Sequence, residues 1–510
     1  MSATPDSFQV SPQQEEVWAA EPGGPTARIQ ALLAVDGQVD RVAIETALRL
    51  AVRRHESMRT TFVRRPGLTL PLQVVNELLE PRIETLDLTA AGPKEQAERT
   101  ASALQSELEA PFDFEHGPLV RAKVVIKSRN ALELIVTVSA LCADEASMSL
   151  LLGEVAGHLA AIDLVEDPLQ YADFSAWQLE LRDSDGDEAR AARAFWDELG
   201  DVCSPVLPFT RARESAGTLE EITIGIDEAL AEALSDRAQR CGAPASAFGQ
   251  AGWHAVLGRF SGGQSSVVAF VPAARRHRDL ESALGAFARP VPIEARLDGT
   301  RSCGELLAEV TEARADALVR QDYAPASATG AVEIGFIEYH GQLAQPEGMR
   351  LAVQRMLRAG PEFGLFLMCR TLGHQHACLG LQHEPFTHLA GAVHDGFAPR
   401  HLAHRADGGD RVADPDRRLE HDGGGNEDRA FARQLRAHHR RDEPHGERAM
   451  RDPAAEYGLA GKVLVEMDRV HVPGGFAEQL DVPFANGIVR CGRHAGFELV
   501  KINRRHRLTI

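Results

Sequence analysis

Residues 132–145 read LELIVTVSALCADE, and this stretch decides the fold class of the 510-residue chain. Its longest apolar part, residues 134–143, is interrupted by Thr137 and Ser139. A run of that length predicts a buried strand, since a helix needs about 20 apolar residues to cross a bilayer. A helix is predicted to begin near Glu145. The stretch therefore predicts a strand, a short loop and a helix, which is typical of an α/β protein.

Strands and helices alternate on both sides of this stretch. Before it, the pattern predicts strands at residues 30–35, 60–63, 72–75 and 119–126 and helices at residues 41–54 and 93–109. After it, the pattern predicts strands at residues 222–226, 265–270 and 332–337 and helices at residues 228–241, 245–260 and 303–320. Asp40 and Ser302 precede two of the helices and can cap them. We therefore predict a mixed α/β architecture in two units that join near residues 170–177.

The composition changes beyond about residue 386. Residues 396–451 contain twelve arginines and no lysine, and eleven of the 20 histidines lie between His374 and His445. No periodicity in this part would bury a core. Two interpretations stay open. The segment is either a disordered, locally basic tail or an out-of-frame piece of a GC-rich gene, a base composition suggested by only five lysines among 55 basic residues.

The charge and the apolar pattern disfavour several classes of partner. A formal net charge of −19 argues against a general nucleic-acid binder, which needs a basic face. No segment has the features of a membrane span or of a secretory signal. Seven cysteines without close pairing fit a reducing compartment. We expect a cytoplasmic protein that binds neither nucleic acid nor membrane.

Five short segments form an ordered series of motifs. They are residues 11–18, SPQQEEVW; residues 54–62, RHESMRTTF; residues 111–121, PFDFEHGPLVR; residues 171–177, YADFSAW; and residues 321–323, QDY. In this order they resemble the motifs of the condensation domains of nonribosomal peptide synthetases. One such segment could occur by chance. Five of them at the family's spacing, over roughly residues 8–385, indicate this family.

The resemblance implies an α/β fold of two chloramphenicol-acetyltransferase-like lobes in a V-shaped pseudodimer. We expect the N-terminal lobe at residues 8–180, a C-terminal lobe, complete or not, at residues 181–386, and an irregular tail at residues 387–510. The implied substrates are carried on the phosphopantetheine arms of peptidyl or acyl carrier proteins and meet in a tunnel between the lobes. Adenylation domains of a synthetase are further implied partners, and no cofactor bound to the chain itself is expected.

The motif that carries the family's chemistry departs here from its usual HHxxxDG form. Residues 139–145 read SALCADE, so Ser139 replaces the first histidine and Ala140 replaces the second. In the family the second histidine is thought to orient or deprotonate the attacking amine, and a methyl group does neither. Asp144 is retained. The resemblance implies that it forms a structural salt bridge with an arginine, for which Arg59 is the best match.

A second motif, beside the expected tunnel, is also altered. Relatives read GFFVNT, whereas residues 285–290 read GAFARP. Gly285 and Phe287 fit the pattern, and Arg289 takes the place of the usual asparagine. The resemblance implies that these three residues lie at the tunnel. Together the two departures predict weak or absent condensation.

Two other groups of reactive side chains have structural interpretations. Cys142 has no neighbouring base or positive charge that would activate a thiol, so we expect a small buried core residue. A C-x4-H-x-H-x-C cluster at residues 369–378 invites a zinc interpretation. Its spacing departs from common zinc patterns, however, and a hairpin around Gly373 explains it. We expect no metal.

Two functions stay open. In the first, the chain handles carrier-tethered acyl and aminoacyl thioesters for amide bond formation, with weak or no catalysis. In the second, it is a non-catalytic module that binds carrier proteins as a scaffold within an assembly line. General base catalysis contributes about 10²–10⁴ in rate, so losing the histidine lowers activity without forbidding it.

Overall fold

The computed structural model describes residues 7–20, 27–164, 167–200, 202–207, 219–222, 228–272, 275–297, 299–325, 332–340, 343–360, 363–372 and 375–382, with three short strands between residues 488 and 509. Over these residues, no helix combines the length and apolarity that crossing a bilayer takes. The chain divides into two compact units. The first consists of residues 1–386 with 421–435, and the second of residues 387–420 with 436–510.

Strands and helices alternate up to residue 200 of the first unit. They are β1 (Ser7–Gln9), α1 (Pro12–Ala19), β2 (Arg28–Gly37), α2 (Arg41–Arg54), β3 (Thr60–Val63), β4 (Leu72–Val75), β5 (Arg82–Asp87), α3 (Pro93–Glu109), β6 (Val120–Ser128), β7 (Ala131–Ser139), α4 (Glu145–Leu159), α5 (Tyr171–Arg182) and α6 (Asp187–Leu199). The predicted join near residues 170–177 lies in helix α5.

Further strands and helices lie between residues 219 and 382, and the last four elements are all strands. The elements are β8 (Leu219–Ile222), α7 (Glu228–Arg240), α8 (Ala245–Ser261), β9 (Ser265–Val271), β10 (Val291–Arg296), α9 (Cys303–Arg320), β11 (Ile334–His340), β12 (Met349–Ala359), β13 (Leu365–Leu372) and β14 (Gln375–Gln382). The predicted elements agree with these to within about three residues at each end, except the strand predicted at residues 222–226. That strand is β8, and residues 223–227 lie outside the described residues.

The first sheet has the strand order β12-β2-β7-β6-β5. Helices α2 and α4 cover one face through Ile44 and Leu151, and α3 covers the other through Leu104. Because both faces are covered, β2 and β7 are buried along almost their whole length. Strands in that position read as continuous apolar runs rather than as an alternating pattern.

Strand β12 joins this first sheet although it comes from the second half of the chain. It pairs antiparallel with β2, with Arg350 opposite Asp36 and Ala359 opposite Arg28. The predicted division at residue 181 therefore does not separate the two sheets. Apolar patterning can predict where a strand lies in the sequence. It does not predict which strand it pairs with, since β2 and β12 are more than 300 residues apart and their pairing depends on tertiary contacts.

The second sheet has the strand order β10-β9-β11-β13-β14-β8. The strands β9, β11 and β13 are parallel, and the outer pairs are antiparallel. Trp253 of α8 and Ala317 of α9 pack on Phe270 and Phe336 of the sheet. The hairpin predicted around Gly373 is formed by β13 and β14.

Helix starts follow the predicted caps. The Asp40 side chain accepts a hydrogen bond from the Val42 amide at 3.3 Å. Ser302 accepts one from the Glu305 amide at 3.3 Å, and the Glu305 carboxylate accepts one from the Ser302 amide at 2.8 Å. This reciprocal capping box satisfies two amide groups that the helix leaves unpaired. Both predicted caps are confirmed.

The described residues of the second unit are three strands. They are β15 (Ile488–Val489), β16 (Val500–Asn503) and β17 (Arg507–Thr509), and they pair antiparallel in that order. Apart from these strands, the predicted irregular or out-of-frame tail at residues 387–510 lies outside the described residues.

One buried histidine lies in the layer between α8 and the second sheet. His254 is fully buried, and its Nδ1 lies 2.7 Å from the Ser266 hydroxyl. Burial lowers the pKa of His254 to about 3, because the charged imidazolium is poorly solvated there. The folded protein therefore holds this ring neutral.

His254→Gln is expected to remove part of the acid sensitivity of the fold. The unfolded histidine binds a proton below its ordinary pKa of about 6.5, whereas the folded ring stays neutral down to about 3, so stability is lost as pH falls through this window. Between pH 7.5 and pH 5 the wild type should lose about 2 kcal/mol more unfolding free energy than the variant. Urea titrations at the two pH values measure the difference. His116→Gln, which removes an exposed imidazole, should behave as the wild type, and equal losses in both variants would contradict the assignment.

Candidate functional site

The loop that joins β7 to α4 is held by its last residue. The Asp144 side chain accepts a hydrogen bond from the Ser147 amide at 2.7 Å and so caps helix α4. A carboxylate at this position also interacts favourably with the positive end of the helix dipole. The strand can therefore end at Ser139 and the helix begin at Glu145 with only five residues between them.

Asp144 forms a buried ion pair with Arg275. The Arg275 Nη2 and the Asp144 Oδ1 lie 3.1 Å apart, and the Arg275 Nη1 lies 3.3 Å from Oδ2. The two side chains are 8% and 2% exposed, so both charges are removed from water. The same guanidinium donates to the Ser147 hydroxyl at 2.7 Å and lies 4.8 Å from the centre of the Phe287 ring.

The predicted pairing of Asp144 with Arg59 is wrong. Arg59 instead forms an ion pair with Glu56 at 3.3 Å and donates to the Asn76 carbonyl at 3.2 Å. Arg59 lies in a short 3-10 helix before β3, and its side chain is held by these nearby groups. The arginine that reaches Asp144 lies 131 residues further along the chain, where no local pattern could identify it.

The segment 283–289 packs against first-sheet elements through its backbone. Gly285 donates its amide to the Ser147 hydroxyl at 3.0 Å, and its carbonyl accepts from the Asp144 amide at 3.1 Å. The Ala288 amide donates to the second Asp144 oxygen at 3.0 Å. A Cβ at position 285 would lie 1.9 Å from Cδ2 of Tyr171, so glycine is required by this close approach.

Phe287 and Arg289 are both engaged by protein side chains. The Phe287 ring is 2% exposed and packs edge-on against Tyr171 and Phe174, with ring centres 5.0 and 4.7 Å apart. Arg289 is 8% exposed at its side chain and pairs with Glu16 of α1 at 2.7 Å. Phe287 is therefore a core residue, and the ion pair of Arg289 links α1 to the segment 283–289. Their place at a tunnel stays a prediction.

Ser139 and Ala140, which the motif pattern predicts at the positions of the family's histidines, are both buried. Ser139 is fully buried, and its hydroxyl accepts from the Leu141 amide at 3.3 Å. Ala140 is 1% exposed and packs in the main apolar core. Burial raises the pKa of the Cys142 thiol far above its ordinary value, so the reactive thiolate is not formed. The predicted structural interpretation of Cys142 is confirmed by its burial.

Glu145, which stands where the family has glycine, is a buried charge with a partner. Its carboxylate lies 3.3 Å from Nη1 of Arg358, and the two side chains are 2% and 10% exposed. Arg358 comes from β12, the strand that joins the first sheet from the second half of the chain. An unpaired carboxylate in the protein interior would be strongly destabilising. Glu145 and Arg358 therefore each supply the counter-charge that keeps the other stable in the interior.

The opening motif also reaches the altered loop. The Gln14 side-chain amide donates to the Leu141 carbonyl at 2.9 Å. The Ser11 hydroxyl lies 2.7 Å from the Tyr171 hydroxyl, which donates to the Ala286 carbonyl at 2.9 Å. Burial raises the pKa of Tyr171, so the phenol stays protonated and donates. Sequence reasoning found both motifs but missed that they meet.

The described residues contain no group of His, Cys, Asp and Glu side chains arranged to hold a metal ion. Of the cluster predicted at residues 369–378, the Cys369 side chain is described and is half-buried. The side chains of His374, His376 and Cys378 lie outside the described residues, so the expectation of no metal stays a prediction at that cluster.

The family model of the condensation domain matches residues 5–326, which is more than half of the chain. The chain belongs to the condensation-domain family. This confirms the family that the motif series predicted.

Curated relatives of this condensation domain include two synthetases. Phosphinothricin tripeptide synthetase of Streptomyces viridochromogenes is 31% identical over 325 residues, which cover 61% of this chain and 29% of that protein. Malpinin synthetase of Mortierella alpina is 29% identical over 343 residues, which cover 63% of this chain and 4% of that protein. The chain therefore spans less than a third of the length of these relatives.

Solved structures share the fold of this condensation domain. The first condensation domain of the calcium-dependent antibiotic synthetase, in complex with a substrate analogue, has a TM-score of 0.64 at 18% identity and covers 74% of this chain and 92% of that one. The X-domain from teicoplanin biosynthesis has a TM-score of 0.60 at 22% identity and covers 77% of this chain and 93% of that one. The predicted α/β fold class is confirmed.

Arg275→Ala is expected to destabilise the condensation domain by about 3–5 kcal/mol, because it leaves the buried Asp144 carboxylate without its counter-charge. Arg59→Ala should cost only about 1 kcal/mol or less, since it breaks a pair that is partly open to solvent. Chemical denaturation of the two variants gives the comparison. A larger loss for Arg59→Ala would restore the pairing that the motif pattern implies.

Gly285→Ala is expected to destabilise the fold by about 1–3 kcal/mol or more, because the added methyl group meets the buried Tyr171 ring. Gly252→Ala is the matched control. Gly252 is exposed in the middle of α8 with open space around its Cβ position, so alanine there should stabilise by up to about 1 kcal/mol. Thermal melts should therefore shift in opposite directions, and equal shifts would contradict the close approach at Gly285.

Proposed function

We propose that this chain is a condensation domain of nonribosomal peptide assembly that receives carrier-tethered acyl and aminoacyl thioesters and forms their amide bond weakly or not at all. Membership of the family supports the substrate class. The carriers, the adenylation domains and the phosphopantetheine arms belong to this proposal, since the chain spans only part of its relatives. The loop that carries the family's chemistry supports the low rate.

The observation that carries the proposal is the buried methyl group of Ala140. In the family pattern this position holds the second histidine, which has a ring nitrogen that can accept a proton. Ala140 is 1% exposed and has no such atom. The proposed degenerate subtype of HHxxxDG motif rests on this position and on Ser139.

The polar groups around Ala140 are engaged in structural roles. Asp144 accepts hydrogen bonds from two backbone amides and pairs with Arg275. Its carboxylate oxygens are therefore already occupied by donors of the protein. Cys142 stays protonated because burial raises its pKa. The loop therefore offers no good acceptor for the proton of an attacking amine.

The chemistry sets the size of the expected effect. In amide formation the amine nitrogen attacks the thioester carbon, the carbon–sulfur bond breaks, and the proton that nitrogen loses passes through a base to the leaving thiolate, which departs as a thiol. A positioned general base contributes about 10²–10⁴ in rate, whereas substrate positioning contributes independently of it. We expect a domain that still binds both carriers and has lost mainly the proton-transfer contribution.

Reconstitution with loaded carriers tests this. Donor and acceptor carrier proteins bearing aminoacyl-phosphopantetheine are mixed with the full chain, and dipeptidyl carrier is measured by mass spectrometry. We expect a rate about 10²–10⁴ below that of a condensation domain with an intact HHxxxDG motif, and similar to that domain after its second histidine is changed to alanine. Turnover at the rate of the intact domain would contradict the proposal and point to another base.

A second function, a non-catalytic carrier-binding or scaffold module, is favoured by a specific structural relative. The X-domain from teicoplanin biosynthesis has a solved structure in complex with OxyB, with a TM-score of 0.60 and 22% identity to this chain. A fold of this kind can therefore present a docking surface to another protein. Saturable binding of carriers in a calorimetric titration, without any dipeptidyl product, would support this function over slow catalysis.

A further inference from the structure

The layer between the second sheet and the helices α8 and α9 contains a line of buried polar side chains. Ser246, Gln250 and His254 lie one helical turn apart and so share the inner face of α8. Trp253 lies beside them, and Arg314 reaches Ser246 from α9. All five residues are at most 8% exposed. We call these five residues the polar seam.

The two ends of the polar seam are bonded to the protein. At one end, Arg314 Nη2 donates to the Ser246 hydroxyl at 3.1 Å and to the Glu338 carboxylate of β11 at 2.6 Å. At the other end, His254 Nδ1 lies 2.7 Å from the Ser266 hydroxyl of β9. The seam therefore runs from one strand of the sheet to another.

The remaining polar atoms of the seam are different. Within the part of the chain that the structure describes, six of its buried atoms lack a hydrogen-bond partner, and they are Gln250 Nε2, Gln250 Oε1, Trp253 Nε1, His254 Nε2, Arg314 Nε and Arg314 Nη1. The described surroundings are apolar, since Phe270 and Phe336 face this layer and the Arg314 guanidinium lies 4.2 Å from the centre of the Phe270 ring.

Leaving the six atoms unbonded would be costly. A buried polar group without a hydrogen bond loses its hydration without compensation. Six such groups in one layer would cancel much of the stability of a typical domain, because that stability is a small difference between large opposing contributions. A fold that keeps all six in one layer therefore needs a small molecule that bonds to them.

We propose that the polar seam is a binding site for ordered water. A buried water makes about three hydrogen bonds, so about two molecules match the six atoms. The Trp253, Arg314 and Gln250 N–H groups donate to the water oxygens, and Gln250 Oε1 accepts in return. A metal ion is not suited to this chemistry, because the described residues contain no group of side chains arranged as metal ligands.

The site has a structural consequence for α8. A neutral imidazole has one N–H donor and one acceptor nitrogen. In the proposed arrangement, His254 Nδ1 is hydrogen-bonded to the Ser266 hydroxyl and His254 Nε2 is hydrogen-bonded to water. Helix α8 is then attached to β9 and β11 partly through exchangeable molecules rather than through a dry apolar contact. This inference is independent of carriers and of catalysis, so it stands or falls apart from the proposed function.

Magnetisation transfer from water tests the site directly. The chain has four tryptophans, so ¹⁵N-tryptophan labelling gives four indole signals, which single Trp→Phe variants assign. We expect a nuclear Overhauser cross-peak between water and the Trp253 indole proton. Trp196 is the matched control, since it is also buried but donates to the Arg320 carbonyl at 2.9 Å and should give none. No cross-peak for Trp253 would overturn the proposal.

Gln250→Leu then tests the seam itself. This variant removes two of the six polar atoms and adds methyl groups that bind no water, so the Trp253 cross-peak should fall by half or more while Trp196 is unchanged. Gln239→Leu, at an exposed position of α7, should leave the cross-peak intact. An undiminished cross-peak in Gln250→Leu would refute a water site held by the seam. If that variant does not fold, the wild-type measurement still decides the question.

Discussion

The buried carboxylate of Asp144 connects the first sheet to a segment from the second half of the chain. Asp144 caps α4, pairs with Arg275 and accepts the amide of Ala288, so a single side chain fixes the end of one strand, the start of one helix and a segment from the second half of the chain. Removing one member of a buried ion pair leaves an uncompensated charge, which is far more costly than losing an exposed pair. Conformations that separate Asp144 from Arg275 while both stay buried are therefore strongly disfavoured.

The shape of the loop depends on Asp144, whereas its proposed catalytic role depends on other residues. Asp144 holds the ends of the loop, whereas the proposed loss of the base concerns only Ala140, so the loop can keep its shape whatever its catalytic rate. The charges that depart from the family pattern are also integrated, since Glu145 pairs with Arg358 and Arg289 pairs with Glu16. A loop that had merely decayed would leave such charges unpaired, at a cost of several kcal/mol each. The paired charges favour a stable variant of the fold over a damaged one.

The two sheets differ in the side chains that are buried between each sheet and its helices. The first sheet is covered on both faces by apolar side chains, as Ile44 and Leu104 illustrate. The second has a polar line beneath α8, where Gln250 and His254 are fully buried. Buried polar groups stabilise a layer only when each is bonded, and a neutral buried histidine makes that layer sensitive to acid. We expect the second layer to open more readily than the first.

The local elements and the family could both be predicted from the residues alone. Apolar periodicity, the caps at Asp40 and Ser302 and the ordered motifs all act over a few residues, where side-chain spacing directly reflects strand and helix geometry. Tertiary structure alone decided that Asp144 meets Arg275 rather than Arg59, that β12 joins the first sheet, and that Gly285 must lack a side chain beside Tyr171. Each of these depends on segments far apart in the chain, and a single sequence does not encode such neighbours as a readable pattern.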